Sequence, residues 1–231
     1  FDFKQSSGRI GKFLSGWHFL LGKILATVMT SIVSDRPAEI RGPVLLGANG
    51  RLGRMIRCFW RDADLRAVAR RSEGDVIRGD LLAGGAQMQA ILQGRGAVVC
   101  MAGVTPGPAQ ADLSQNVDLA LAAVRAAHAA GAGRVFLASS AAVYGRQSGV
   151  LNEDTPCAPL SAYGRGKAGM EEAGLALGAQ LRQPVTVLRI GNVAGADAIL
   201  GGWHPAMAID QLPDGTTPVR SYIGPQSLSV V

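Results

Sequence analysis

The apolar residues of this chain change their period several times. Pro43, Val44, Leu45 and Leu46 form a short continuous apolar run, as in a strand buried on both faces, and Gly47, Gly50 and Gly53 follow it in the spacing G-x-x-G-x-x-G. Residues 51–60 are compatible with a helix, so this stretch reads as a strand that turns tightly into a helix. Residues 65–69, 75–78, 97–101, 134–138 and 185–190 read as five further strands. Helical stretches lie between most of them, including the Ala-rich run 110–130 and residues 162–181. Strands that alternate with helices imply a parallel sheet covered on both faces, and such sheets bind ligands at the carboxyl ends of their strands.

The first forty residues look different. Phe13, Trp17, Leu20, Leu21, Ile24, Leu25, Val28 and Ile32 recur at helical spacing, with Ser15, His18, Gly22, Lys23 and Thr27 on other faces. Three readings of this amphipathic pattern stay open. A membrane span would bury Lys23 near its middle at a cost of roughly 2.5–3.5 kcal/mol. A signal peptide lacks a convincing small-residue cleavage site. The third reading, which we favour, starts translation at Met29 and leaves residues 1–28 outside the fold, because the first strand needs only a short lead. The expected organisation is an N-terminal extension over residues 1–40 and one domain over residues 41–231, with no membrane partner.

Length and composition fit that domain. A chain of 231 residues with 48% hydrophobic content buries a full core. Cys58, Cys100 and Cys157 are widely spaced and odd in number, which points to reduced thiols in a cytoplasmic protein rather than to a disulfide framework or a metal site. The net charge of +6 raises the question of nucleic acid. Its distribution answers otherwise: Arg51, Arg54, Arg57, Arg61, Arg66, Arg70 and Arg71 stand against only Asp62 and Asp64, so the excess lies beside the glycine turn. A small polyanion is the simpler partner there.

The glycines have a chemical reading. A helix that follows such a turn leaves its first amides free at the positive end of its dipole, and glycines let a pyrophosphate approach the backbone. Ser139 and Ser140 stand at the carboxyl end of the fifth strand, ahead of Tyr144 and Gly145. Tyr163 and Lys167 are spaced i, i+4 on one helix face, so a phenol and an ammonium can address one ligand. A free tyrosine titrates near about 10, and a neighbouring cation favours the phenolate, so Lys167 gives Tyr163 a reason to act as acid or base. His18, His128 and His204 are scattered singly and none reads as catalytic.

Taken in order, these motifs resemble an extended short-chain dehydrogenase/reductase of the NAD-dependent epimerase/dehydratase family. The resemblance runs from Pro43 to the C-terminus and also includes Gly79-Asp80-Leu81, Cys100-Met101-Ala102-Gly103, Asn116 and Leu188-Arg189-Ile190-Gly191-Asn192-Val193. It implies a doubly wound, Rossmann-like α/β sheet. It implies that Tyr163 gives or takes a proton, that Lys167 holds the cofactor ribose and tunes Tyr163, and that Ser140 orients the substrate oxygen. Asp80 would contact the adenine and Asn192 would face the substrate, whereas Asn116 stays outside the catalytic set. The expected cofactor cradle is Gly47, Asn49, Gly50, Arg51, Leu52 and Gly53, with Arg70, Arg71, Asp80, Leu81, Ala102, Gly103, Tyr163 and Lys167. No metal is expected.

Two departures qualify the resemblance. Val219-Arg220-Ser221-Tyr222-Ile223 resembles an R-D-Y-I segment, with Ser221 where an aspartate is common, and the chain stops soon afterwards at Val231. Part of a small C-terminal substrate region is therefore expected to be missing. The region where NAD-binding relatives carry an acidic residue holds Arg70 and Arg71 instead, with Glu73 nearby, which favours NADP over NAD.

The function implied is hydride transfer at a carbonyl or alcohol carbon of a sugar nucleotide or small carbonyl compound, by an NAD(P)-dependent epimerase, dehydratase or reductase. A homodimer through helices 110–130 and 162–181 is expected from their small residues. The alternative is a regulatory module that senses the nucleotide without turnover. Such modules tend to lose the Tyr-x-x-x-Lys pair, and this chain keeps it.

Overall fold

A computed structural model describes residues 41–61, 63–106, 111–147, 149–196, 215 and 221–230. The readings made for residues 1–40 and for His204, Val219 and Arg220 lie outside the described residues.

Six strands form one sheet: β1 (Val44–Leu46), β2 (Arg66–Ala69), β3 (Ile77–Arg78), β4 (Ala97–Cys100), β5 (Arg134–Ser140) and β6 (Val185–Ile190). Their order is β3-β2-β1-β4-β5-β6, and every neighbouring pair is parallel. The helices are α1 (Arg51–Phe59), α2 (Gly85–Leu92), α3 (Gln115–Ala129), α4 (Ala162–Leu181) and the short α5 (Pro225–Leu228). Alternation along the strands assigns them to two layers. Val44, Leu46, Val98 and Leu137 share one cluster with Met88 of α2, Val124 of α3 and Met170 of α4, whereas Leu45, Ala67 and Val99 pack with Ile56 of α1. The fold is thus the expected doubly wound α/β sheet. Among the described residues no helix is long and apolar enough to cross a membrane.

The strand order positions the site. The chain leaves β1 for β2 and β3 on one side and returns at β4 on the other, so the helices that follow β1 and β4 lie on opposite faces of the sheet and a crevice opens between them at the carboxyl ends of these strands. A second small parallel pair, β7 (Asn192–Val193) with β8 (Tyr222–Ile223), follows β6.

Several boundaries differ from the sequence reading. β5 runs two residues further than expected, because Ser139 and Ser140 pair with Arg189 and Ile190 of β6. The third helix begins at Gln115 rather than at residue 110. Ahead of it Asp112 Oδ1 accepts the Ser114 amide at 3.0 Å, a local bond that competes with helix. Helix α4 keeps its expected bounds: Ser161 Oγ accepts from the Gly164 amide at 3.0 Å, as an N-cap does, and Arg182 closes the far end in the left-handed region at φ 54°.

Candidate active site

The turn between β1 and α1 is built on Gly47, which has φ +84°. A Cβ there would stand 2.5 Å from the Ala102 amide nitrogen, so the loops after β1 and β4 cross where a side chain would not fit. Gly50 donates to the Gly47 carbonyl at 2.9 Å and is the N-cap of α1, with no side chain to close the helix end. That end points its amides outward, as an anion site requires. Asn49 ties the loop to the end of β2, Nδ2 donating to the Arg71 carbonyl at 2.9 Å. Its Oδ1 is buried and lacks a donor among the described residues. A ribose hydroxyl is a donor of the required kind, so the cradle fits a dinucleotide.

Ser140, Tyr163 and Lys167 converge from different elements. Ser140 is the last residue of β5, and its Oγ accepts the Ala142 amide at 3.2 Å, starting the 3-10 turn Ala141–Tyr144. Tyr163 and Lys167 lie one turn apart on α4, with Lys167 Nζ 5.9 Å from the centroid of the Tyr163 ring. Lys167 is only 4% exposed and donates to the Ala138 carbonyl of β5 at 2.8 Å. A Cβ on Gly103 would approach Lys167 Nζ to 3.2 Å and Asn116 Oδ1 to 3.0 Å, so the absence of a side chain there keeps the ammonium accessible from the loop after β4.

The electrostatics add what the sequence did not show: the net shift of Tyr163 is upward, because burial raises its pKa while the Ser140 hydroxyl pulls it down. Burial likewise lowers the Lys167 pKa, opposed by Cys100 and Glu171. Cys100 is itself pushed up to about 11 by burial. It is therefore a neutral thiol near pH 7.

Other residues have structural employment. Asn116, 1% exposed, receives the Val104 amide at 3.1 Å and donates to the Val104 and Leu113 carbonyls, which fixes the loop after β4. Asp80 is exposed and accepts the Leu82 amide at 3.0 Å in a local turn, while Leu81 is buried. Asn192 donates to the Ser221 carbonyl at 3.0 Å and so holds the segment that carries β8. Arg51 reaches the Ala196 carbonyl at 3.2 Å. Arg70 and Arg71 are exposed just beyond β2.

The sequence reading missed a polar cluster behind the site. Glu171, one turn beyond Lys167 on α4 and 5% exposed, accepts from Ser139 Oγ and from Arg189 of β6, whose Nη2 lies 2.8 Å from Oε2. Arg189 also donates to the Tyr144 hydroxyl at 3.2 Å and lies over that ring. The i, i+4 spacing of Lys167 and Glu171 was the available signal.

Comparison with known proteins fits this geometry. The sequence profile of the NAD dependent epimerase/dehydratase family matches residues 44–211. The chain belongs to this family. A comparison with curated proteins found no match. Among solved structures, MoeE5 in complex with UDP-glucuronic acid and NAD is 30% identical with a TM-score of 0.58, covering 72% of this chain and 58% of its own. A short-chain dehydrogenase/reductase superfamily protein from Agrobacterium tumefaciens with bound NAD is 26% identical, TM-score 0.57, covering 66% and 50%. A UDP-N-acetylglucosamine 4-epimerase from Methanobrevibacter ruminantium M1, at 21% identity, TM-score 0.63 and coverage of 83% and 71%, shares the epimerase/dehydratase fold. The chain spans about half the length of the first two of these.

Proposed function

We propose that this chain acts as an NAD(P)-dependent epimerase or dehydratase on a sugar nucleotide. The observation that carries this reading is the convergence of Ser140, Tyr163 and Lys167 at the crevice lined by Gly103. A UDP-sugar is favoured because MoeE5, at 30% identity, is known with UDP-glucose and with UDP-glucuronic acid. A nicotinamide cofactor, when bound, supplies the group that accepts and returns a hydride. The α1 N-terminus would hold its pyrophosphate, Lys167 its ribose and Asp80 its adenine side.

Ser140 has one lone pair committed to the Ala142 amide, and its hydroxyl hydrogen, which faces the Tyr163 phenol, would donate to a substrate oxygen lying against both hydroxyls. Tyr163 moves a proton at that same oxygen. Its buried phenol keeps the proton at neutral pH, the state of a proton donor. Asn192 lies beside the β8 segment and would meet the substrate from that side.

Three finer readings accompany this one. NADP is the favoured cofactor, since Glu73, the nearest carboxylate beyond Arg71, is ion-paired with Arg54 at 2.9 Å, whereas Arg70 and Arg71 remain exposed. A homodimer would form through the outer faces of α3 and α4. A cytoplasmic location fits three unpaired cysteines.

The test is a panel of UDP-sugars with each nicotinamide, followed by product sugar analysis because an epimerase shows no net redox change. Conversion of at least one sugar is expected, falling about 10²–10⁴-fold in Tyr163→Phe with cofactor affinity retained. Cofactor binding without conversion of any sugar would favour the sensing module, and full activity in Tyr163→Phe would refute the catalytic assignment.

A further inference from the structure

Glu171 and Arg189 have no part in the chemistry proposed above, yet they lie directly behind it: Glu171 follows Lys167 by one turn of α4 and is bonded to Ser139, the neighbour of Ser140. Glu171 is an acid buried to 5% exposure, and burial of an unpaired carboxylate is strongly unfavourable. Arg189 answers it with three contacts: Nε to Oε1 at 3.2 Å, Nε to Oε2 at 3.0 Å and Nη2 to Oε2 at 2.8 Å. The remaining Glu171 contact is Ser139, the residue before Ser140. The remaining Arg189 contacts are Tyr144, the Glu153 carbonyl at 3.3 Å and Cys157 Sγ at 3.3 Å, all on the connection between β5 and α4.

We propose that Glu171 and Arg189 are positioning residues: their ion pair ties β6 to α4, the Ser139 bond to Glu171 ties in the end of β5 behind Ser140, and Glu171 is the anion one helical turn from Lys167. The second half follows from what faces the ammonium. From β5 it meets the Ala138 carbonyl, from β4 Cys100, from α3 Asn116 beside Gly103, and from its own helix Tyr163, Met170 and Glu171. Cys100 and Tyr163 are neutral near pH 7, and Asn116 and Met170 are uncharged, so among these described neighbours Glu171 is the one that carries negative charge at that pH, Cys100 joining it only where its thiol ionises. This inference rests on the proposed reaction only for its consequence in turnover. The charge arrangement is measurable without it.

Lys167 is the only lysine after Lys23, so its side-chain resonances are readily assigned in protein labelled at lysine. The full chain is titrated by NMR as wild type, as Glu171→Gln and as Glu171→Gln/Arg189→Met, which leaves no guanidinium without its carboxylate. The Lys167 midpoint is expected to fall by about half a pH unit or more in Glu171→Gln, because the opposing anion is gone. It should also lie below wild type, by less, in the double variant. Where a sugar substrate is turned over, kcat should drop about tenfold in both with cofactor KM nearly constant, and the basic limb of the pH profile should move down with the midpoint. An unchanged midpoint in either folded variant would overturn the inference. A wild type that converts no sugar but shows these midpoints would refute the reaction and leave the inference standing.

Discussion

Burying an ammonium disfavours its charged form, and Lys167 carries that penalty at the centre of the site. Its folded pKa lies below the ordinary lysine value, so between the two the unfolded chain binds more protons and stability rises with pH. Below the folded value the whole penalty is present. Lys167→Met should therefore abolish turnover while raising the melting temperature at pH 7, and the difference should shrink as the pH approaches about 10.5. Thermal melts at several pH values check this, and a variant less stable than wild type at pH 7 would show that the bond to Ala138 outweighs the burial of charge. Arg70 invites a second substitution. If it meets a ribose 2′-phosphate, Arg70→Ala should weaken NADPH binding about tenfold and leave NADH nearly unchanged, a cost of the size expected for one charge-assisted contact. Fluorescence titration of both nucleotides measures it, and equal losses would assign Arg70 no part in the choice.

Elements place these residues by crossing closely, as at Gly47. Gly47→Ala places a side chain in the left-handed region, which costs about 1–2 kcal/mol, and the contact with the Ala102 amide adds to that. Urea denaturation should show a lower midpoint with an unchanged slope, together with lost nucleotide binding. A midpoint equal to wild type would mean that the β1 and β4 loops part at little cost. The glycine turn, α4 and β6 were legible in the sequence because each is specified locally, by spacing, by a serine cap and by a β-branched run. The end of β5 was not, since two serines carry little strand preference and their pairing with Arg189 and Ile190 comes from distant sequence. For the same reason Glu171 and Arg189 stayed hidden: they lie on different elements and no local period links them. The bond from the Asn192 amide to the Ser221 carbonyl was not legible either, since only the pairing of β7 with β8 creates it.

For the whole molecule, the small residues of α4 turn out to serve the chain itself. A Cβ on Gly174 would stand 2.5 Å from Leu137 Cδ1, and Gly178 is pressed against Val185. The face left for another subunit is that of Leu175, 47% exposed. Light scattering at micromolar concentration should give a dimer, and Leu175→Glu should shift it about tenfold or more towards monomer; a wild-type monomer would refute the proposed assembly. The strand order has one more consequence, during synthesis. Val44 pairs with Arg66 soon after both emerge, but its other neighbour, Val98, follows only after β2, β3 and α2 have been made. Nascent chains fold from the N-terminus onward, so the apolar strand at the middle of the finished sheet spends that interval as an open edge. A ribosome stalled before Ala97 therefore holds a half-sheet whose nucleotide cradle has one wall and whose most buried strand is the one best placed to aggregate.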